Sequence, residues 1–189
     1  MNELEHYITS YFGIARHDLE AISSLFKLTA LQKGDYYLKP GEVCGTLSFQ
    51  RSGIIRVYIQ DEDRETTQWI STKGQFISDL SGIIFNRPAR ASIQALTDCE
   101  LYTISSQDYA GIGKRIPSWH ELEKLFIARC FVFMEERIYT LLSMSTEARY
   151  RWLFDQQPEL FNQVPLQYLA SMLGMTPETL SRIRGKKIK

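Results

Sequence analysis

Between Val164 and Arg184 the chain reads Val-Pro-Leu-Gln-Tyr-Leu-Ala-Ser-Met-Leu-Gly-Met-Thr-Pro-Glu-Thr-Leu-Ser-Arg-Ile-Arg, and few arrangements accommodate it. Pro165 suits the start of a helix, where its missing N–H would be unpaired anyway. Leu166, Leu169, Ala170 and Leu173 recur at i, i+3, i+4 and i+7, one face of that helix. Gly174 can take the left-handed conformation that stops it. Thr176 is a good N-cap for a second helix, with Pro177 at its first position and Glu178 near the positive end of its dipole. The strict capping box is absent, because Thr179 stands three residues after the cap. Leu180 and Ile183 face back into the pair. Glu178, Thr179, Ser181, Arg182 and Arg184 are left outward.

Two short helices around a glycine, the second polar and cation-bearing, form a helix-turn-helix of the kind laid in the DNA major groove. A helical hairpin serving only as core is the plainer alternative. Charge favours the first reading. The chain as a whole is neutral, but Pro165–Lys189 carries five cations (Arg182, Arg184, Lys186, Lys187, Lys189) against one anion (Glu178), a local net of +4. A phosphate backbone is attracted to that end.

The texture upstream differs. Residues 2–27 read as helical, with Leu4, Ile8, Tyr11 and Phe12 as one stripe. From about Thr29 to Ile104, short β-rich runs alternate with turns: Tyr36–Lys39, Leu47–Gln50, Ile54–Ile59, Thr66–Ser71, Ala91–Leu96 and Cys99–Ile104. Strands at that spacing predict an antiparallel barrel or sandwich. Ser105 caps a short helix. A long helix follows, from Pro117-Ser118 to about Met144, with two apolar stripes. Trp119, Leu122, Phe126, Cys130 and Phe133 form one; Ile127, Phe131, Met134, Ile138 and Leu141 form the other. A helix lying on one barrel needs only one stripe. Two stripes predict that one packs on the barrel and the other meets a second copy, the rival reading being a helix sunk in a larger core. Ser145 caps the next helix, which ends at Gln157-Pro158.

This order of parts resembles the Crp/Fnr family of bacterial transcription regulators over nearly the whole chain, especially its compact Bacteroidetes-type members. The resemblance is carried by Lys33-Gly34-Asp35, Pro40-Gly41-Glu42, Phe49-x-x-x-Gly53-x-x-Arg56 and Gly74-Gln-Phe76. It is carried most specifically by Leu169-Ala-x-x-Leu-Gly-Met-Thr-Pro-Glu-Thr-Leu-Ser-Arg-Ile183. It implies an α+β fold: an antiparallel β-roll or jelly-roll sensor domain of the cyclic-nucleotide-binding kind with N-terminal helices (1–117), a long dimerisation helix (118–144) and an all-α helix-turn-helix domain (145–189). The dimer helix is the one bearing Trp119, Leu122, Phe126, Cys130 and Phe133. The family's base-reading glutamate falls on Glu178 and its base-reading arginine on Arg182. A carboxylate can accept from cytosine N4, and an arginine can fork onto guanine O6 and N7. Thr179 and Ser181 offer hydroxyls, and Arg184, Lys186 and Lys187 offer cations to phosphates. Two departures stand out. Pro177 occupies a position where many members carry arginine, and the chain given ends where a two-stranded wing would begin.

The corresponding phosphate cassette runs from Gly74 to Ala91 and is degenerate. Asp79 stands in place of a glutamate, Ser78 replaces a glycine, and Arg90 lies one position from the expected arginine, with Arg87 as the alternative. These four are the candidate effector-binding residues, and an effector other than cyclic AMP is expected. The implied partners are double-stranded DNA at a near-palindrome, a second copy of the chain, RNA polymerase and a small-molecule effector. The alternative function is a dimeric small-molecule-binding or interaction module with a vestigial helix-turn-helix. A metal-dependent barrel enzyme would need inward-facing histidines. His6, His17 and His120 all lie outside the strands, so no catalytic or metal site is expected. Cys44, Cys99 and Cys130 form no C-x-x-C, and no run reaches the ~18 apolar residues of a membrane span. A cytoplasmic protein with reduced thiols is expected.

Overall fold

The computed structural model describes residues 1–62 and 64–185 and is mixed α+β, with antiparallel sheets and one long helix. It divides into two compact units. The first is Met1–Val57 with Ile70–Cys130; the second is Tyr58–Trp69 with the chain from Phe131 onward.

The first unit opens with α1 (Glu3–Phe12). The Asn2 side chain accepts from the Glu5 N–H at 2.8 Å, and the Glu5 carboxylate accepts from the Asn2 N–H at 2.9 Å. This reciprocal box satisfies two otherwise unpaired donors. A short helix, α2 (Leu19–Ser23), follows. Then come β1 (Lys27–Leu31), β2 (Tyr36–Leu38), β3 (Thr46–Ser52), β4 (Ile55–Asp61), β5 (Arg64–Ser71) and β6 (Phe76–Ile77). A six-residue helix, α3 (Leu80–Phe85), precedes β7 (Ser92–Ala95) and β8 (Cys99–Ser105). The strands form two four-stranded sheets, β1-β8-β3-β6 and β2-β7-β4-β5. β3 and β8 pair antiparallel, Leu47 opposite Ile104 and Phe49 opposite Tyr102, until a register break between Gln50 and Ser52. The turn after that break needs Gly53. Its φ is +89°, and a Cβ there would lie 2.4 Å from both the Asp98 carbonyl and the Cys99 sulfur.

Between the sheets lie Leu38, Ile55, Ile77, Ile93, Ala95 and Leu101, drawn from both. A second core joins α1 and α2 to β3, β8 and the helix that follows. Ser105 caps α4 (Ser106–Gly111) by accepting from the Asp108 N–H. The long helix α5 (Trp119–Ser143) begins in this unit. Its Trp119 and Phe126 rings lie 4.9 and 4.5 Å from that of Phe12. Both are almost fully buried, so truncating either costs about 3–5 kcal/mol.

The second unit holds the outer part of the β4–β5 hairpin, the rest of α5 and four further helices. α6 (Thr146–Gln156) is capped by Ser145. α7 (Leu160–Gln163), a single turn after Pro158, has no counterpart in the sequence reading. α8 (Leu166–Met172) and α9 (Pro177–Gly185) complete the described chain. Tyr150, Leu153, Leu160, Leu169, Leu180 and Ile183 are buried, so each of the four helices turns an apolar face inward.

Candidate functional site

The turn between α8 and α9 is built as the residue types require. Pro165 is the cap residue of α8 rather than its first helical residue. Gly174 takes φ +64°. The Met175 N–H donates to the Ala170 carbonyl at 3.0 Å, and the Gly174 N–H to the Ser171 carbonyl at 3.0 Å. These bonds satisfy carbonyls that a helix end leaves open. Thr176 then caps α9, its hydroxyl accepting from the Thr179 N–H at 3.2 Å. The Thr179 hydroxyl lies 3.2 Å from that of Thr176, in the place a capping-box glutamate would fill.

Leu180 and Ile183 are buried, while Glu178, Ser181, Arg182 and Arg184 are exposed and Thr179 is half-buried. Hydrogen bonds from its own backbone N–H and from Thr176 hold the Glu178 carboxyl below its usual range. Among the described residues no ion pair joins Glu178 to Arg182, four positions on. The Arg184 guanidinium lies 5.7 Å from the centre of the Phe161 ring, so the chain itself occupies one of its faces. Lys186 and Lys187 lie outside the described residues.

The four candidate effector residues have different neighbours. Asp79 caps α3, accepting from the Ser81 N–H at 3.0 Å. Ser78 donates to the Thr46 carbonyl at 3.0 Å, and its oxygen lies 3.7 Å from the Cys44 sulfur. Arg87 is exposed over the Phe85 ring, and Arg90 is exposed beside buried Ala89. The phenol of Tyr37 sits among hydroxyls of the roll. It accepts from Thr46 at 2.8 Å, lies 3.1 Å from the Ser48 hydroxyl and donates to the Ile77 carbonyl at 3.3 Å. Burial pushes its pKa well up. Gly82 holds α3 close to the roll, since a Cβ there would meet the Cys44 backbone nitrogen at 2.7 Å.

Residues 28–115 match the cyclic nucleotide-binding domain family. The chain has no match among curated proteins. Among solved structures it resembles a protein assigned to the Crp/Fnr family of transcriptional regulators from Eubacterium rectale. There the identity is 20%, the cover 94% of this chain and 85% of that one, and the TM-score 0.68. It also resembles the c-di-GMP-responsive global regulator CLP of Xanthomonas campestris, at 18% identity, 91% of each chain and a TM-score of 0.68. Against the cAMP-bound PfPKA-R the identity is 17% and the TM-score 0.54, over 58% of this chain. The chain spans only 40% of that protein's length. Both bacterial neighbours are described as regulators.

Beyond residues 28–115, α5 divides its stripes. Trp119 and Phe126 are in the first core, with Leu122 and Cys130 against it. Phe133 meets Trp69 edge-on at 4.7 Å. Of the second stripe Ile127, Phe131, Met134 and Ile138 stay exposed, between 40% and 64%, while Leu141 is half-buried and its neighbour Leu142, 81% exposed, extends the open face. No helix among the described residues is long and apolar enough to cross a membrane.

Four residues that the sequence reading passes over sit close behind the α8–α9 turn. Arg137 donates to the Gln68 and Met172 carbonyls, Arg149 donates to the Gly174 carbonyl, and the Ser171 hydroxyl accepts from the Thr67 N–H at 2.9 Å. With Arg64, Gln167, Gly174 and Thr176, Ser171 also lines a groove of about 380 Å³. Their partners lie far along the chain, so the sequence carries no local sign of these contacts.

Proposed function

We propose that the chain is a homodimeric, sequence-specific DNA-binding transcription regulator of the Crp/Fnr type. In this reading residues 1–117 form the sensor, 118–144 the dimer helix and 145–189 the helix-turn-helix domain. The observation that carries it is α9. It is a capped helix with Leu180 and Ile183 buried and Glu178, Ser181 and Arg182 facing solvent. A core-only hairpin has no need of exposed fork donors and acceptors at the start of its second helix.

Glu178 and Arg182 are the base readers, and Thr179, Ser181, Arg184, Lys186 and Lys187 meet the backbone or neighbouring bases. Because Arg184 shares its guanidinium with Phe161, it positions the end of α9 as well as offering charge. The exposed stripe from Ile127 to Leu142 supports a second copy, since an apolar surface of that extent marks an interface. The two-fold axis then sets two copies of α9 about one DNA turn apart on a near-palindrome. The roll does not take cyclic AMP. Asp79 is committed to capping α3, Arg87 and Arg90 are exposed, and Tyr37 fills polar space between strands. An effector of the sensor, and RNA polymerase at the promoter, complete the expected partners.

The test is selection of genomic DNA fragments by the purified chain at moderate salt. The wild type enriches a near-palindrome, and Arg182→Ala loses preference at one base pair in each half. Enrichment of no sequence by the wild type would sink the regulator reading.

A further inference from the structure

Arg137 and Arg149 bring two cations together in the second unit, and among the described residues neither has an anionic partner. Arg137, on α5, is 8% exposed. Its Nη2 donates to the carbonyls of Gln68, at 3.2 Å, and Met172, and its guanidinium lies 5.8 Å from the Trp69 ring centre. Arg149, on α6, is half-buried, and its Nη1 reaches the Gly174 carbonyl at 3.5 Å. Nη1 of Arg137 and Nε of Arg149 are buried and have no hydrogen-bond partner. Among the described residues no ion pair joins either guanidinium to a carboxylate. Burial first, and the Arg149 charge second, lower the pKa of Arg137.

Carbonyls at a helix C-terminus attract cations, which explains one arginine there. They do not neutralise two. A buried guanidinium without a counter-charge is costly, and a like charge beside it adds to the cost. The unused donors and the unmatched charge call for the same thing, an anion with several acceptors.

We propose that Arg137 and Arg149 form a binding site for a phosphoryl group, either inorganic phosphate or the phosphate of a small metabolite, at the C-terminal end of α8. A dianion matches two cations, and planar guanidinium forks suit tetrahedral oxyanions. Gly174, whose carbonyl Arg149 holds, lines the groove of about 380 Å³. Neither arginine lines that groove, but Arg64, Gln167, Ser171 and Thr176 on its wall offer polar contacts to the remainder of a phosphorylated ligand. Occupancy relieves the repulsion between the arginines and fixes the turn from which α9 projects. That consequence rests on the regulator reading; the binding itself does not.

The test is thermal unfolding of the full chain as sodium chloride is replaced by sodium phosphate at constant ionic strength, with calorimetric titration of phosphate. A saturable rise in midpoint is expected, as for any ligand that binds only the folded state. One phosphate should bind per chain. Arg149→Met should weaken phosphate binding about tenfold or more. If Arg149→Met does not fold, Arg149→Lys serves, keeping the charge and losing the fork. The proposal is overturned if the wild type gains no more from phosphate than from chloride, or if the folded variant binds phosphate as tightly as the wild type. It is also overturned if phosphate has no effect while the variant loses affinity for random-sequence duplex DNA, because the pair then serves the nucleic-acid backbone. The comparison with glucose 6-phosphate separates the two sources: tighter binding than phosphate assigns the groove to the metabolite, and equal binding assigns the pair to the free ion.

Discussion

Gly174 and Arg149 are set so closely that a Cβ on the glycine would lie 2.8 Å from the arginine Nη1. The arginine end can swing aside, whereas the glycine φ of +64° cannot be relieved so cheaply. Gly174→Ala should therefore destabilise the second unit by about 1–2 kcal/mol, read as a lower urea midpoint. The loss should persist in an Arg149→Met background. If the arginine substitution abolishes it, side-chain crowding rather than backbone conformation is the cause.

Lys73 and Glu3 make a surface contact that titrates. The Lys73 ammonium lies 2.8 Å from the Glu3 carboxylate, with Arg51 at 3.6 Å and the Tyr7 hydroxyl at 3.0 Å. The hydrogen bond from Lys73 is the main reason the Glu3 pKa falls below its ordinary value. The folded state thus binds this proton less readily than the unfolded chain. The resulting stability is present above the unfolded carboxyl pKa, about 4.3, and is lost as the pH falls through the folded value. The contact is partly exposed, so its worth is about 1 kcal/mol or less. Lys73→Met should lower stability by that amount at pH 7 and flatten its decline below about pH 4.5. An unchanged acid limb would assign the pH dependence to other carboxylates.

Tyr37 anchors the hydroxyl cluster inside the β-roll. Tyr37→Phe removes the partner of Thr46 and Ser48 and the donor to the Ile77 carbonyl while preserving the ring. A loss of about 1–3 kcal/mol in denaturant unfolding is expected, because polar groups are left unsatisfied. A neutral result would show that solvent replaces the phenol without cost.

These residues also mark what sequence makes legible. The α8–α9 pair was readable because its signals are local: apolar spacing, a glycine at the stop, and threonine and proline at the next start. Six of the eight strands were readable by alternation and turn residues, and Ser105 and Ser145 announced two helix starts. β1, which begins inside the stretch read as helical, the two-residue β6 and the six-residue α3 were not, being too short to show a period. α7 escaped because one turn after Pro158 has no room to show a period. The two stripes of α5 were legible, but only packing shows which is covered. Arg137 was silent for a similar reason. Its partners Gln68 and Met172 lie 69 and 35 residues away, so the sequence carries no local sign of the contact.

Phe131 tests the stripe left open on α5. It is 64% exposed, with Ile127, Met134, Ile138 and Leu142 along the same face. Because it is exposed within the chain, Phe131→Asp should leave the helical circular dichroism and the unfolding of a single chain nearly unchanged. In a dimer held through that stripe, each copy would bury the new charge against apolar side chains at a cost of several kcal/mol. Sedimentation should therefore show a dimer for the wild type and a monomer for the variant at micromolar concentration. The monomer would also lose tight binding to any two-fold DNA site, since each half-site would be engaged singly. Leu142→Asp, farther along the helix, should act in the same direction. A variant that remains a dimer with its fold intact would place the interface elsewhere and leave the paired arrangement of α9 without its axis.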